Sequence, residues 1–150
     1  MTKLITPNLW FDGNAQEAVD FYVSVFPDSK IISTVYYPTE GLADFQQGLA
    51  GKVLTVDFEL SGNRFVAINA GPEFKFNESV SFSIPCKDQE EIDYYWEKLS
   101  SVPESEQCGW CKDKYGLSWQ VVPENMDKLM SRPDAFAHMM QMKKLVIADF

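Results

Sequence analysis

Four features of this 150-residue sequence combine residue types with spacings that can support chemistry. The stretch DKYGLSWQVVP, Asp113 to Pro123, carries one amide, Gln120, among apolar neighbours; an amide is a good hydrogen-bond partner and a weak, neutral metal ligand. In VLTVDFEL, Thr55, Asp57 and Glu59 alternate with Val56, Phe58 and Leu60, so two carboxylates share one face of a strand. If that face lines a cavity, the pair can serve as acid, base or metal ligands; a solvated strand face gives the same alternation and is the preferred reading. Cys108-Gly-Trp-Cys111 spells a CxxC motif, but it lies in or beside a strand and not at a helix N-terminus, so inert packing thiols are expected. His138 is the single histidine and forms neither a metal site nor a triad by itself, so a solvent-facing or helix-packing residue is expected.

An internal near-repeat locates the elements that must position these residues. QEAVDFY (Gln16 to Tyr22) and QEEIDYY (Gln89 to Tyr95) are 73 residues apart, close to half the chain. Each has apolar residues at helical spacing: Ala18, Val19, Tyr22 and Phe26 in the first, Ile92, Tyr95, Trp96 and Leu99 in the second. The same offset lays Leu9 on Phe82 and Phe11 on Ile84, so a strand precedes each helix. IISTVYY, KVLTVDFEL and RFVAINA follow the first helix as a meander, with turns at Pro38 to Gly51 and Ser61-Gly62-Asn63. After the second helix come a shorter strand around Glu106 to Lys112 and then LSWQVVP, with room for one more strand near Val102 to Ser105. The expectation is a duplicated βαβββ unit.

That makes an α+β fold: two tandem βαβββ modules forming a curved, mainly antiparallel sheet around a cavity, with a C-terminal helical segment. One domain spans residues 1–150, with module one at about 4–71, module two at about 78–124 and a helical tail at about 125–150. Leu9, Phe11, Phe82 and Ile84 should face the helices, which turns Asn8, Trp10, Ser81 and Ser83 toward the cavity. Trp10, Trp110, Trp119, Phe65 and Tyr36 are candidate flat walls for a ligand; core packing is expected for most, and Trp10 alone is assigned to the pocket. The Pro38 to Gly51 connection is long for a hairpin and reads as a lid or a disordered bridge. PDAFAHMMQMKKL reads as an amphipathic helix whose methionines pack on the domain or on a second subunit.

Paired βαβββ modules ending in D-x-x-G-x-x-x-(E/Q) resemble the glyoxalase and bleomycin-resistance fold, the vicinal oxygen chelate superfamily. FDGNAQEAVDFYVSVFPDSKI, FVAINAGPEFKFNESVSFSI and CGWCKDKYGLSWQVVP are similar to its PhnB-like branch, whose members often carry the label 3-demethylubiquinone-9 3-methyltransferase; the resemblance covers about residues 4–145. It implies a divalent metal held by His, Gln or Glu from the first and last strand of each module. The last-strand ligand of module two falls on Gln120. Its counterpart in module one falls on Val66, which cannot ligate, and the first strands offer Asn8 or Pro7 and Ser79 or Ser81 where a histidine is common. The usual metal site therefore reads as dismantled. A methyltransferase using S-adenosylmethionine on a doubly wound fold needs a glycine-rich turn between strand and helix, and no such run is present.

Composition bounds the partners. With 22 acidic against 13 basic residues the formal charge is −9, which disfavours nucleic acid and anionic membranes. No apolar run approaches the roughly 18 residues of a spanning helix, and three cysteines without a leader-like N-terminus point to a reducing cytoplasm. The leading expectation is a homodimeric small-molecule-binding protein with a metal-free pocket floored by Asn8, Trp10, Ser81, Ser83 and Gln120, and no cofactor. The alternatives are a metal-dependent lyase, isomerase, dioxygenase or drug-modifying enzyme using Gln120 with Glu59 or Asp57, and an interaction module docking through its C-terminal helix.

Overall fold

The structure is a computed structural model that describes residues 3–150. It divides into two compact units, the first ending at Lys75 and the second running Phe76–Phe150.

The first unit runs β1 (Asn8–Phe11), α1 (Ala15–Val25), β2 (Lys30–Tyr36), β3 (Val53–Leu60) and β4 (Asn63–Asn69). Its sheet has the order β1-β4-β3-β2, with β1 parallel to β4 and the other pairs antiparallel. Ala15, Ala18, Val19, Tyr22 and Val25 form the buried stripe of α1, spaced for one helix face. They pack over β3 and β4, whose Val56, Phe58, Leu60, Phe65 and Ala67 are buried, as are Leu9 and Phe11 of β1. Ser61 and Gly62 both have positive φ, 47° and 84°, the backbone that matches a two-residue hairpin turn to strand twist. That turn fixes Leu60 opposite Asn63 and sets the β3–β4 register. The Pro38 to Gly51 connection is a closed excursion: Tyr37 N donates to Lys52 O at 2.8 Å, Gly51 N to Tyr37 O at 3.1 Å, and a 3₁₀ helix fills Asp44–Leu49.

The second unit runs β5 (Ser81–Cys86), α2 (Gln89–Leu99), β6 (Trp110–Lys112), β7 (Ser118–Pro123), α3 (Met126–Leu129) and α4 (Ala135–Met140). Its sheet has the order β5-β7-β6, with β5 parallel to β7 and β6 antiparallel to it. The Asp88 carboxylate caps α2 by accepting Glu91 N at 2.9 Å, with Glu90 and Glu91 in the first turn and Lys98 in the last, each placed to suit the helix dipole. Ile92, Tyr95 and Leu99 are the buried residues of α2. On the same side, Ile84, Cys86, Cys111, Trp119 and Val121 are buried, while Phe82 is half-buried beside the Trp119 ring.

Both units are therefore α+β, and the first is the expected βαβββ. The second departs from it by one strand. The segment expected to add a strand near Val102 to Ser105 is a 3₁₀ turn at Pro103–Ser105, because Pro103 lacks an N–H for a ladder and fixes φ near the helical value. The Ser105 hydroxyl accepts Lys112 N at 3.0 Å and Ser101 N donates to Lys112 O at 2.8 Å. Side chain and loop thus satisfy the β6 edge that a further strand would have covered.

Among the described residues, no helix is long and apolar enough to cross a membrane. The tail is not one amphipathic helix: α4 ends at Met140, and Cys108 N and Gly109 N donate to Met142 O and Lys143 O, both at 2.8 Å. Met139 and Met142 pack against the cluster of Leu129, Ala135, Leu145 and Phe150 within this unit.

Candidate functional site

Asp113 builds the hairpin that presents Gln120. Its Oδ1 accepts Tyr115 N at 2.8 Å and Leu117 N at 3.1 Å, and its Oδ2 accepts the Trp119 indole N–H at 2.9 Å. The carboxylate is fully buried, and burial of a charge is tolerated only when donors surround it. The turn then closes by Gly116 N to Asp113 O at 3.0 Å and Asp113 N to Leu117 O at 3.0 Å. Trp119 is thereby pinned on the α2 side of β7, and alternation turns Ser118 and Gln120 to the opposite face.

On that opposite face the register forms two rows. Ser81, Ser118 and Lys112 lie side by side across β5, β7 and β6, and Ser83, Gln120 and Trp110 form the next row. Gln120 Nε2 donates to Ser81 Oγ at 2.8 Å, which reaches diagonally to the first row and holds the amide plane. Gln120, Ser81 and Trp110 are half-buried and Ser83 is exposed. Among the described residues, neither Gln120 Oε1 nor the Trp110 indole N–H has a protein partner. Ser118 is 1% exposed, and its hydroxyl is also without a hydrogen bond. Lys112 Nζ instead forms an ion pair with Glu78, whose carboxyl it holds below the ordinary range.

In the first unit, the face opposite α1 carries Asn8 and Trp10 from β1, with Thr55, Asp57 and Glu59 from β3 and Arg64, Val66 and Ile68 from β4. Asn8 is exposed and donates its amide to Thr6 O at 3.0 Å. Trp10 is half-buried; its indole N–H donates to Gly71 O at 2.8 Å and its ring meets Phe74 edge-on at 4.8 Å. Asp57 accepts from Arg64 Nη2 at 2.8 Å, and Glu59 lies 3.9 Å from Lys30 Nζ. Asp57 and Glu59 do share the face opposite α1, as the alternation required.

Within each unit by itself, the expected donors are a poor set for a dication. In the first, Asp57 and Glu59 are ion-paired with Arg64 and Lys30, and Val66 stands in register beside Asp57; in the second, Gln120 offers only a neutral oxygen. Neutral amides do little to offset dehydration of a dication. Among the described residues, no group of three or more His, Cys, Asp and Glu is placed to hold a metal.

The CxxC motif is a hairpin turn. Cys108 and Gly109 have φ of 39° and 89°, and Gln107 and Trp110 exchange hydrogen bonds of 3.1 and 2.7 Å around them. A Cβ on Gly109 would sit 3.0 Å from the Leu145 side chain and 3.1 Å from Val121 O, so both the positive φ and the close approach call for glycine. Cys111 points to the α2 side and is buried, as is Cys86; burial pushes both thiols up to about 12. Cys108 is half-buried, and all three cysteines are free. His138 is exposed on α4.

The other aromatic candidates divide by face. Trp119 and Phe65 are core, Tyr36 is exposed on edge strand β2, and Trp110 joins Gln120 on the face opposite α2. Neither Asn69 nor Ser118 stands out in the sequence, and Asp113 enters there only as the first residue of the D-x-x-G turn. Asn69 is buried; its Oδ1 accepts Ala15 N at 2.9 Å, its Nδ2 donates to Val53 O at 3.1 Å and its carbonyl accepts the Tyr37 hydroxyl at 2.6 Å. It caps α1 from a distant strand, which no local motif signals. For Asp113 a signal existed: Asp-x-x-Gly before a strand is a turn in which the aspartate bonds the backbone two residues on.

Residues 3–122 match the family model described as 3-demethylubiquinone-9 3-methyltransferase. A PhnB protein from Bacillus cereus, named for that same methyltransferase, is 34% identical, with 81% of this chain and 99% of that one covered and a TM-score of 0.64. The protein PA1353 from Pseudomonas aeruginosa is 18% identical over 82% of this chain and 98% of that one, with a TM-score of 0.62. A point mutant of the fosfomycin resistance protein FosX from Listeria monocytogenes, complexed with Mn(II) and 1S,2S-dihydroxypropylphosphonic acid, is 16% identical over 87% of this chain and 99% of that one, with a TM-score of 0.55. No functionally curated protein matches the sequence. The chain belongs to the 3-demethylubiquinone-9 3-methyltransferase-like family, the PhnB-like branch of the vicinal oxygen chelate superfamily.

Proposed function

We propose that this protein binds a small polar molecule on the face of the second sheet opposite α2, with Gln120 as the principal hydrogen-bonding group and no metal in the recognition step. One observation carries this reading: Ser81 holds the Gln120 amide through its nitrogen, while the carbonyl oxygen stays unpaired in the same row as an unpaired Trp110 indole N–H. An acceptor and a donor side by side, both open to solvent on a half-buried floor, suit a ligand that supplies the complement. Ser83, exposed in the same row, extends the polar floor.

The family's name does not carry methyl transfer over to this chain. The turn between β1 and α1 has a single glycine, Gly13, and the one between β5 and α2 has none, so the glycine-rich phosphate turn of a doubly wound cofactor site is missing. The Mn(II) complex of FosX keeps a metal-dependent reaction as the second reading, one that the ion pairing of Asp57 and Glu59 weighs against. Fluorescence or NMR screening of polar metabolites in EDTA tests the first reading. Ligands that bind the native chain and are lost in Gln120→Leu support it; binding that requires added divalent metal sinks it.

A further inference from the structure

Lys112 lies on β6 and Glu78 on the segment leading into β5, yet β7 runs between those two strands. Lys112 is in register with Ser118, and its side chain leaves the sheet on the same face. To meet Glu78, the lysine reaches from β6 toward the β5 side of the row that holds Ser118. In that row Ser118 is 1% exposed and its hydroxyl has no hydrogen bond. The partners differ in how they are held. The Lys112 side chain is 22% exposed, on a strand whose backbone is tied on both edges; that of Glu78 is 62% exposed, in a stretch with no strand or helix.

We propose that Lys112 Nζ and Ser118 Oγ form an oxyanion subsite and that the Glu78 carboxylate occupies it until the acidic group of a ligand displaces it. A carboxylate or a phosphate-type group accepts from the ammonium and also from the buried hydroxyl, a bond Glu78 does not make. Displacement frees Glu78 to return to water at little cost, since exposed ion pairs are weak, and satisfies the Ser118 hydroxyl. This rests on the small-molecule reading above and narrows its ligand. The Ser118 and Gln120 rows are two residues apart on β7, about 7 Å at the strand rise. The ligand is thus a small acid with a neutral hydrogen-bonding group about 7 Å from its oxyanion. Selection of one acid over others in a chain of charge −9 then depends on this local ammonium.

The full chain, its Lys112 side-chain ammonium and Ser118 amide followed by NMR, is titrated with acetate, with inorganic phosphate and with acetamide as the neutral control, at constant ionic strength. The expected result is a response to acetate or phosphate at both signals, at least about tenfold tighter in Glu78→Gln and absent in Lys112→Met. Whichever anion responds better names the source of the group. Ser118→Ala is expected to leave the fold intact, since it removes an unsatisfied hydroxyl, and to weaken the response of Glu78→Gln about tenfold. Equal responses in native and Glu78→Gln chains, or an acetamide response matching acetate, would overturn the proposal. Gln120→Leu separates the two ideas: it removes metabolite binding if the first reading holds and leaves this oxyanion response unchanged.

Discussion

The buried carboxylate of Asp113 accepts the indole N–H of Trp119 at 2.9 Å, while its other oxygen accepts two backbone N–H groups of the intervening turn. Trp119 faces α2, so this bond fixes the rotation of β7 and with it the presentation of Ser118 and Gln120 on the opposite face. Asp113→Ala leaves three donors without their acceptor. The expected loss is at least about 3 kcal/mol, measured by urea denaturation, and Trp119→Phe should lose about 1–3 kcal/mol for the single bond removed. If Asp113→Ala unfolds at the native urea midpoint, the carboxylate does not organise the turn.

Asn69 ties β4 to the first residue of α1 and to Val53. Asn69→Ala should cost about 2 kcal/mol, the sum of a lost cap and a buried carbonyl left unpaired. Hydrogen exchange adds a local readout: the Ala15 amide should lose protection more than the amides in the middle of α1.

Much of this architecture was legible in the sequence. The QEAVDFY and QEEIDYY repeat located both helices, because the spacing of Val19 and Tyr22 and of Ile92 and Tyr95 is a direct consequence of 3.6 residues per turn. Alternation placed Leu9 and Phe11 in the core and set Asp57 and Glu59 together on the opposite face, since strand period is strict. The resemblance to the vicinal oxygen chelate superfamily agrees with the family match and with the solved structures. The missing strand was not legible, because Val102 and Ser105 have acceptable strand character and only Pro103 in its actual turn decides otherwise. Nor was Trp110: its face depends on where the Cys108-Gly109 turn ends, and a shift of one residue reverses every side chain. Contacts such as Asn69 to Ala15 or Lys112 to Glu78 join residues 54 and 34 positions apart, through packing that no local pattern encodes.

The thiols give a pH dependence. Burial raises Cys86 and Cys111 from an ordinary value of 9.0 to about 12. A raised acid keeps its proton in the folded chain while the unfolded chain releases it, so stability holds below pH about 9 and falls as pH climbs toward about 12. The slope should approach about 1.4 kcal/mol per pH unit for each thiol within that window. Urea midpoints of the native chain and of Cys86→Ala/Cys111→Ala across the window check this, since the double variant should lose most of the slope. With iodoacetamide at neutral pH, half-buried Cys108 should label first and the other two only on unfolding.

Asp57 and Glu59 are expected not to gather a metal while Arg64 and Lys30 face them. Titration with Mn(II) should leave the amide signals of Val56 to Leu60 and of Gln120 sharp. Selective broadening there at low metal concentration would show that the ion pairs yield to a dication.

The most direct test of the central claim follows the Gln120 side-chain amide and the Trp110 indole N–H by NMR while polar metabolites are added in EDTA. We expect a subset of ligands to shift both signals together, and the Trp110 shift to vanish in Gln120→Leu. Ligands that bind without moving either signal, or that bind only once a divalent metal is supplied, would contradict a metal-free site organised around Gln120.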